Sequence, residues 1–221
     1  TKFTLPSFAA AGITFLNLLA AVVVLPETNP GRTPTEERSR VNRLVGALQN
    51  PSLNGLVVSF FLFSFAFSAM ESMFVLFTRD VFGYGPTTNG YILAYLGVVI
   101  AIVQGGLVGR LTDRYGERPL AIVGVSLELV TLSLLPFSPA LGALLPDVGP
   151  LVDVGPVFSG GLLVLLAVLT ALSVGNGFAN VSLNTLVSKS AAEDEQGGAF
   201  GLTQSAGSIA RATGPVVAGL L

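Results

Sequence analysis

Cysteine and histidine are both absent from this chain of 221 residues. The absence of cysteine excludes disulfides and thiolate zinc sites, and the absence of histidine excludes imidazole catalysis and haem ligation by histidine. Any proton chemistry must therefore use carboxylates. Charged residues are also scarce, at 11% of the sequence, and the net charge is −2. With no basic patch among aromatic residues, we expect no nucleic-acid partner, and we predict no cofactor and no metal site.

The rest of the composition is strongly apolar. Hydrophobic residues make up 51% of the sequence, and the mean hydropathy of +0.74 is far above that of a soluble domain. Six stretches have the roughly 20 apolar residues that a membrane-spanning helix needs. They lie at about 5–25, 53–78, 90–109, 119–138, 159–186 and 198–221. Because these stretches are continuous and not alternating, we predict an all-α, polytopic membrane protein and not a barrel.

Basic residues fall mainly on one side of the predicted helices. Cytoplasmic loops retain lysine and arginine, so we place the connectors at 26–52, 110–118 and 187–197 in the cytoplasm and those at 79–89 and 139–158 outside. The residues behind this assignment are Arg32, Arg38, Arg40, Arg43, Arg110, Arg114, Arg118 and Lys189 on the first side and Lys2 and Arg79 on the second. The sequence therefore predicts a multi-pass protein of the inner membrane.

The composition changes between residues 26 and 52, where proline, glutamate and arginine replace aliphatic residues. This pattern is typical of a linker between domains. We predict no signal peptide, because the first apolar stretch is followed by this acidic, arginine-rich connector and by no small-residue cleavage site. The chain begins at Thr1 without an initiator methionine and ends at Leu221 inside an apolar stretch. We therefore expect a fragment of a longer protein.

A carboxylate and two hydroxyls share one face of the predicted helix at 53–78. Ser64, Ser68 and Glu71 follow one another at spacings i, i+4 and i+7. An ionisable side chain in a spanning helix is costly and usually faces a bundle interior or a watery cavity. Glu71 is therefore a candidate for the pathway of a substrate or coupling ion. The alternative is that it pairs with a neighbour or reaches water at the interface.

Polar residues also follow one stripe of the predicted helix at 159–186. The stripe contains Thr170, Ser173, Gly177, Asn180 and Asn184, with Asn176 beside it. Amides inside a membrane must find partners, and they either bond across helices or line a cavity. Both interpretations stay open, and Asn176 and Asn180 are our candidates for cavity contacts.

The predicted helix at 198–221 carries Gln204, Ser208 and Arg211 on one face. An arginine at this depth needs a carboxylate, an end-facing carbonyl or a water-filled space, and Glu71 is one candidate partner from another helix. Gln204 and Arg211 complete our set of pathway candidates. For Glu128, near the centre of the helix at 119–138, we favour a structural role, in which a neighbouring helix satisfies the carboxylate, over a role in transport.

Small residues recur at every fourth position in two predicted helices. They are Gly97, Ala101, Gly105 and Gly109 in one helix and Ala206, Ala210, Gly214 and Ala218 in the other. Small residues let helix backbones approach closely inside a membrane. We therefore predict that both faces pack tightly.

The segment from Gly109 to Arg118 reads GRLTDRYGER. It resembles the cytoplasmic loop signature of the major facilitator superfamily, Gly-x-Leu-Ala-Asp-Arg-x-Gly-Arg-Lys, in its second-half copy. The matching residues are Gly109, Asp113, Arg114, Gly116 and Arg118. The resemblance implies that this loop stabilises one conformation of an alternating-access cycle. Glu117 departs from the signature, which commonly has a basic residue there, and so predicts a weaker charge latch.

Three further stretches agree with this resemblance. Leu25-Pro26-Glu27-Thr28 is similar to the end of the sixth family helix, and the acidic turn at 190–197 is similar to the one before the eleventh. Gly214, Pro215 and Gly219 resemble the Gly-Pro-x-x-x-Gly motif of the eleventh helix. The resemblance thus implies that 1–25 is the last helix of the N-terminal half, 26–52 the cytoplasmic interdomain linker and 53–221 five helices of the C-terminal half.

The stretches from Met70 to Asp80 and from Gln104 to Gly109 resemble the tetracycline-efflux-like branch of the drug:proton antiporters. This resemblance implies a secondary transporter with a small-molecule substrate, protons as the coupling ion and membrane lipid as the surrounding partner. It also implies that the helices at 5–25 and 119–138 are peripheral, which places Glu128 away from the pathway. An uptake symporter of the same fold and a non-transporting scaffold remain alternatives. We predict no enzyme, because an intramembrane protease needs histidine or paired aspartates inside helices.

Overall fold

The computed structural model describes residues 4–24, 51–145, 160–191 and 196–220. The helices are α1 (Thr4–Val24), α2 (Pro51–Phe82), α3 (Pro86–Ile102), α4 (Val108–Tyr115), α5 (Glu117–Leu134), α6 (Ser138–Gly142), α7 (Gly160–Ser190) and α8 (Gln196–Leu220). No strand occurs within these four ranges, so the all-α prediction is confirmed. Five of the described helical segments are long and apolar enough to cross a membrane. α8 has the length, at 25 residues, but a more polar sequence.

Several predicted features lie outside the described residues. They are the connector at 26–52 apart from its last two positions, the Leu-Pro-Glu-Thr stretch, the outer loop from residue 146 onward, and residues 192–195 of the acidic turn. By contacts the chain divides into two units, one at 1–40, which contains α1, and one at 41–221, which contains the other helices.

Several helical spans are longer than the sequence predicts, and the two connectors that the structure describes in full are shorter. α2 continues to Phe82 and α3 begins at Pro86, so the connector predicted at 79–89 is reduced to three residues. Gly83 ends α2 with φ of 68°, a backbone angle that glycine adopts without strain. Pro86 suits the first turn of the next helix, where no backbone donor is needed.

The predicted loop at 110–118 is also mostly helical. A π-helical turn at Val103–Leu107 joins α3 to α4 without a break, so residues 86–115 form one continuous span. Gly116, with φ of 83°, then provides the turn into α5. The prediction of a nine-residue loop was wrong because polar side chains at a membrane surface are compatible with a continuing helix.

Glycine brings α5 and α7 into backbone contact. A Cβ atom on Gly124 would lie 2.5 Å from the Ala179 nitrogen and 2.8 Å from the Gly175 oxygen. α2 and α8 pack in the same manner, since a Cβ atom on Gly214 would lie 3.0 Å from the Phe65 oxygen. In lipid the hydrophobic effect does not favour association between helices. Close backbone contacts therefore matter, because they allow van der Waals attraction between the helices.

The two predicted small-residue faces have different outcomes. On α8, Ala210 and Gly214 are buried against α2, as predicted. On the span from α3 to α4 the prediction was wrong within the described residues. Cβ atoms built at Gly97, Gly105 and Gly109 meet no heavy atom within 4 Å. α7, the nearest neighbour of this span, packs instead on its opposite side, where Val103 and Val108 are buried with Phe178.

We expect Gly124→Ala to destabilise the bundle, because its Cβ atom would force the α5 and α7 backbones apart. Overpacking of this kind costs about 1–3 kcal/mol. Gly97→Ala is the matched control in the interior of another membrane helix, where the added methyl group has open space. Unfolding of the 221-residue chain in mixed micelles measures both changes. Equal stability for the two variants would contradict the close contact.

Candidate transport site and its surroundings

The amides on α7 bond along their own helix and not across to another. The Nδ2 of Asn184 donates to the Asn180 backbone oxygen at 2.8 Å and to its Oδ1 at 3.3 Å. Asn176 is half-buried and makes no hydrogen bond within the described part of the chain. One member of the stripe, Thr170, does bond between helices, through a 2.6 Å contact with the Tyr95 hydroxyl of α3. Asn176 and Asn180 therefore keep polar atoms free for water or a ligand.

Glu71 and Arg211 are exposed and do not meet. Among the described residues no ion pair joins them, and an Nη2 atom of Arg211 lies 3.5 Å from the Ser208 hydroxyl of its own helix. Gln204 is exposed one turn before Ser208, whose hydroxyl donates to the Gln204 backbone oxygen at 2.8 Å. The suggested Glu71–Arg211 pair is thus absent from this conformation, and the structure joins no two of the five candidates by a hydrogen bond.

Glu128 is the buried carboxylate for which the sequence favoured a structural role. Its side chain is only 3% exposed, and its Oε1 atom has no hydrogen-bond partner among the described residues. The interpretation that a neighbouring helix satisfies this group was therefore wrong for Oε1. The physical reason is the glycine contact: the part of α7 opposite Glu128 presents Gly175, and a Cβ atom there would lie 3.2 Å from the Glu128 backbone nitrogen.

Glu128 lines a groove of about 810 Å³ between α2, α5 and α7. The lining is mainly apolar, and its polar members are Ser59, Arg118, Ser126, Glu128 and Ser133. A cavity with mostly apolar walls and a few polar groups is typical of small-molecule sites. A carboxylate between leucines in the middle of a spanning helix was the sequence signal that identified this residue, although not the groove.

The loop-signature residues are spread over α4, the turn and α5. Gly109, Asp113 and Arg114 lie on α4, Gly116 forms the turn, and Arg118 lies in the first turn of α5 and reaches the groove. The Arg114 guanidinium stacks over the ring of Tyr115 at 5.3 Å from its centroid. Glu117 is 2.5 Å from the Lys189 amine, so an ion pair ties the start of α5 to the end of α7. The residue that departs from the family signature thus forms a latch of its own.

Reversing one charge of this latch should loosen the ends of α5 and α7. We expect Glu117→Lys to lower the thermal unfolding midpoint by less than Gly124→Ala does, because Lys189 is 62% exposed and solvent weakens the pair. The double reversal Glu117→Lys with Lys189→Glu should restore the midpoint, and the effect should fade in about 1 M salt, where the Debye length is about 3 Å. Asp113→Lys is the control. If the double reversal did not restore the midpoint, the Glu117–Lys189 pair would contribute nothing to stability.

Comparison with known proteins supplies the family. The family model of the Major Facilitator Superfamily matches residues 3–215. The chain is 24% identical to tetracycline resistance protein, class C, of Escherichia coli over 96% of this chain and 49% of that protein. It is 27% identical to multidrug resistance protein 1 of Bacillus subtilis (strain 168) over 98% of this chain and 50% of that protein.

Tetracycline resistance protein, class H, of Pasteurella multocida is 26% identical over 84% of this chain and 40% of that protein. The chain thus spans about half the length of the curated relatives it matches. No solved structure matches it significantly. With its long apolar helices, the chain is an integral, multi-pass protein of the inner membrane, and it belongs to the Major Facilitator Superfamily.

Proposed function

We propose that the gene product containing this chain is a secondary transporter that exports an amphipathic small molecule in exchange for protons. Family membership and the similarity to tetracycline and multidrug resistance proteins support transport as the function. In this proposal residues 1–25 end the N-terminal half, 26–52 link the halves, and 53–221 belong to the C-terminal half. The substrate site lies between the halves, and the protein performs no enzymatic reaction.

The observation that carries the proposal is the lack of hydrogen bonds between helices at the candidate residues. A scaffold would bind Glu71, Asn176, Asn180, Gln204 and Arg211 to one another and leave no shared polar surface. Within the described ranges, none of these side chains bonds to a different helix. Polar groups left free inside a membrane protein mark the paths of substrates and ions, and this favours transport over a scaffold.

Proton coupling in this proposal uses carboxylates, because the chain has no histidine. Glu71 and Glu128 are the carboxylates in the middle parts of the described spanning helices. Glu71 is exposed on α2, whereas Glu128 is buried and faces the groove. Ionisable groups in such positions recur as proton relays. Glu128 therefore joins Glu71 as a candidate proton carrier, although the family analogy placed its helix at the periphery.

We expect Glu128→Gln and Glu71→Gln each to reduce tetracycline-dependent proton flux at least tenfold in inverted vesicles, because glutamine cannot carry a proton through the cycle. Glu128→Asp should retain part of the flux. Asp80→Asn is the control, since Asp80 is an exposed carboxylate in the last turn of α2. Normal flux in both glutamine variants, with normal membrane insertion, would move the proton chemistry to other residues.

The direction of transport is tested in the same vesicles. In inverted vesicles an exporter accumulates tetracycline while protons leave the lumen. Movement of tetracycline and protons in the same direction would instead establish the alternative, an uptake symporter of this fold.

A further inference from the structure

Pro215 leaves one backbone carbonyl of α8 without its helical partner. Proline has no N–H group, and it lies inside α8. The acceptor that an N–H group at residue 215 would bond is the carbonyl of Arg211, four residues earlier. The hydrocarbon core supplies no bulk water to replace a lost helical hydrogen bond, so a free carbonyl needs another donor, such as a side chain of a neighbouring helix or an ordered water.

The donor comes from another helix. The Ser68 hydroxyl of α2 donates to the Arg211 carbonyl oxygen at an Oγ–O distance of 3.4 Å. Ser68 is 7% exposed, so water does not compete freely for this hydroxyl. The bond is long, and its geometry leaves room for it to tighten or break.

This arrangement differs from the common behaviour of hydroxyls in the described helices. Most serine and threonine side chains bond to a carbonyl three or four residues earlier in their own helix, as Ser72 does to Ala69 at 2.9 Å and Thr203 does to Ala199 at 2.9 Å. Ser68 instead bonds to the carbonyl that proline has left free on a neighbouring helix.

Gly214 makes the contact sterically feasible. A Cβ atom at this position would lie 3.1 Å from the Ala69 nitrogen and 3.3 Å from the Ser68 Cβ atom. Glycine therefore lets the α2 backbone approach α8 at the level of the free carbonyl, and the next residue, Pro215, creates the need for a donor there.

We propose that Ser68 is a positioning residue whose hydroxyl replaces the amide missing at Pro215. It fixes the height and rotation of α8 at Arg211, the residue that the proposed function places in the pathway, and the inference rests on that function. The helices α2 and α8 can separate at this level only when another donor, such as water, reaches the Arg211 carbonyl. Opening of this contact is thereby tied to wetting of the site.

A double-mutant cycle between residues 68 and 215 tests this role in the gene product containing the chain. Ser68→Ala removes the donor, and Pro215→Ala restores a backbone N–H group for the Arg211 carbonyl. We expect Ser68→Ala alone to lower the thermal midpoint and to raise the KM for tetracycline several-fold while kcat changes less. In the Pro215→Ala background, Ser68→Ala should have little further effect. Ser72→Ala, one turn along α2, is the matched control and should leave KM unchanged.

Additive effects of the two substitutions would overturn the proposal, since they would show that the hydroxyl does not serve the carbonyl that Pro215 frees. A coupled change in stability with an unchanged KM would overturn the positioning role. If the alanine variants fold poorly, Ser68→Thr and Ser68→Val replace them in the test. The two side chains have the same shape, and only threonine keeps the hydroxyl. An equal fall in the thermal midpoint and an equal rise in KM in these two variants would also overturn the proposal.

The failure of the proposed function would be recognised separately. A gene product that moves no tetracycline and no protons in the wild-type form refutes the transport proposal. The stability cycle still decides whether Ser68 serves the free carbonyl, because its readout needs no transport.

Discussion

The hydrocarbon core of a bilayer gives backbone groups no water to bond with, and the rest of this structure depends on that constraint. It explains why the described ranges are helical almost throughout, with α2 at 32 residues and α7 at 31. It also explains why most hydroxyls in these helices return to carbonyls of their own helix. Pro215 removes one backbone hydrogen bond of α8, and the Ser68 hydroxyl of α2 donates to the carbonyl that is left free. The missing hydrogen bond in α8 thus requires a donor side chain at the facing position of α2.

Glycine residues determine where helix backbones touch, and these contacts influence where the polar side chains lie. The Gly124 and Gly175 approach brings α5 and α7 together and leaves Glu128 facing the groove, without a partner for Oε1 among the described residues. The Gly214 approach brings α2 to α8 beside Arg211. In each case the backbone contact leaves no room for a side-chain partner on the side where the two helices touch. The same glycine residues therefore determine both how the helices pack and where the candidate functional side chains lie.

Much of this architecture could be predicted from the sequence, because about 20 apolar residues have few alternatives to a spanning helix. Helix ends were predicted less well, since Arg110 and Asp113 suggested a loop where the helix continues to Tyr115. The π-helical turn at Val103–Leu107 has no periodic signal, and its glycines resemble a packing face. Glu128 was assigned to a structural role because spacing alone cannot show whether a neighbouring helix offers a donor. The Ser68 contact joins residues 143 positions apart and depends on tertiary packing.

The central claim is that a water-accessible polar pathway follows α7 and α8, and thiol accessibility tests it most directly. The chain has no cysteine, so each introduced thiol reports on its own position. We predict that Asn180→Cys and Gln204→Cys react with a membrane-impermeant maleimide in the gene product containing this chain, and that tetracycline slows the reaction. Val123→Cys, on the exposed apolar surface of α5 outside the groove, should stay unreactive. No reaction at residues 180 and 204, or equal reaction at all three positions, would contradict the account.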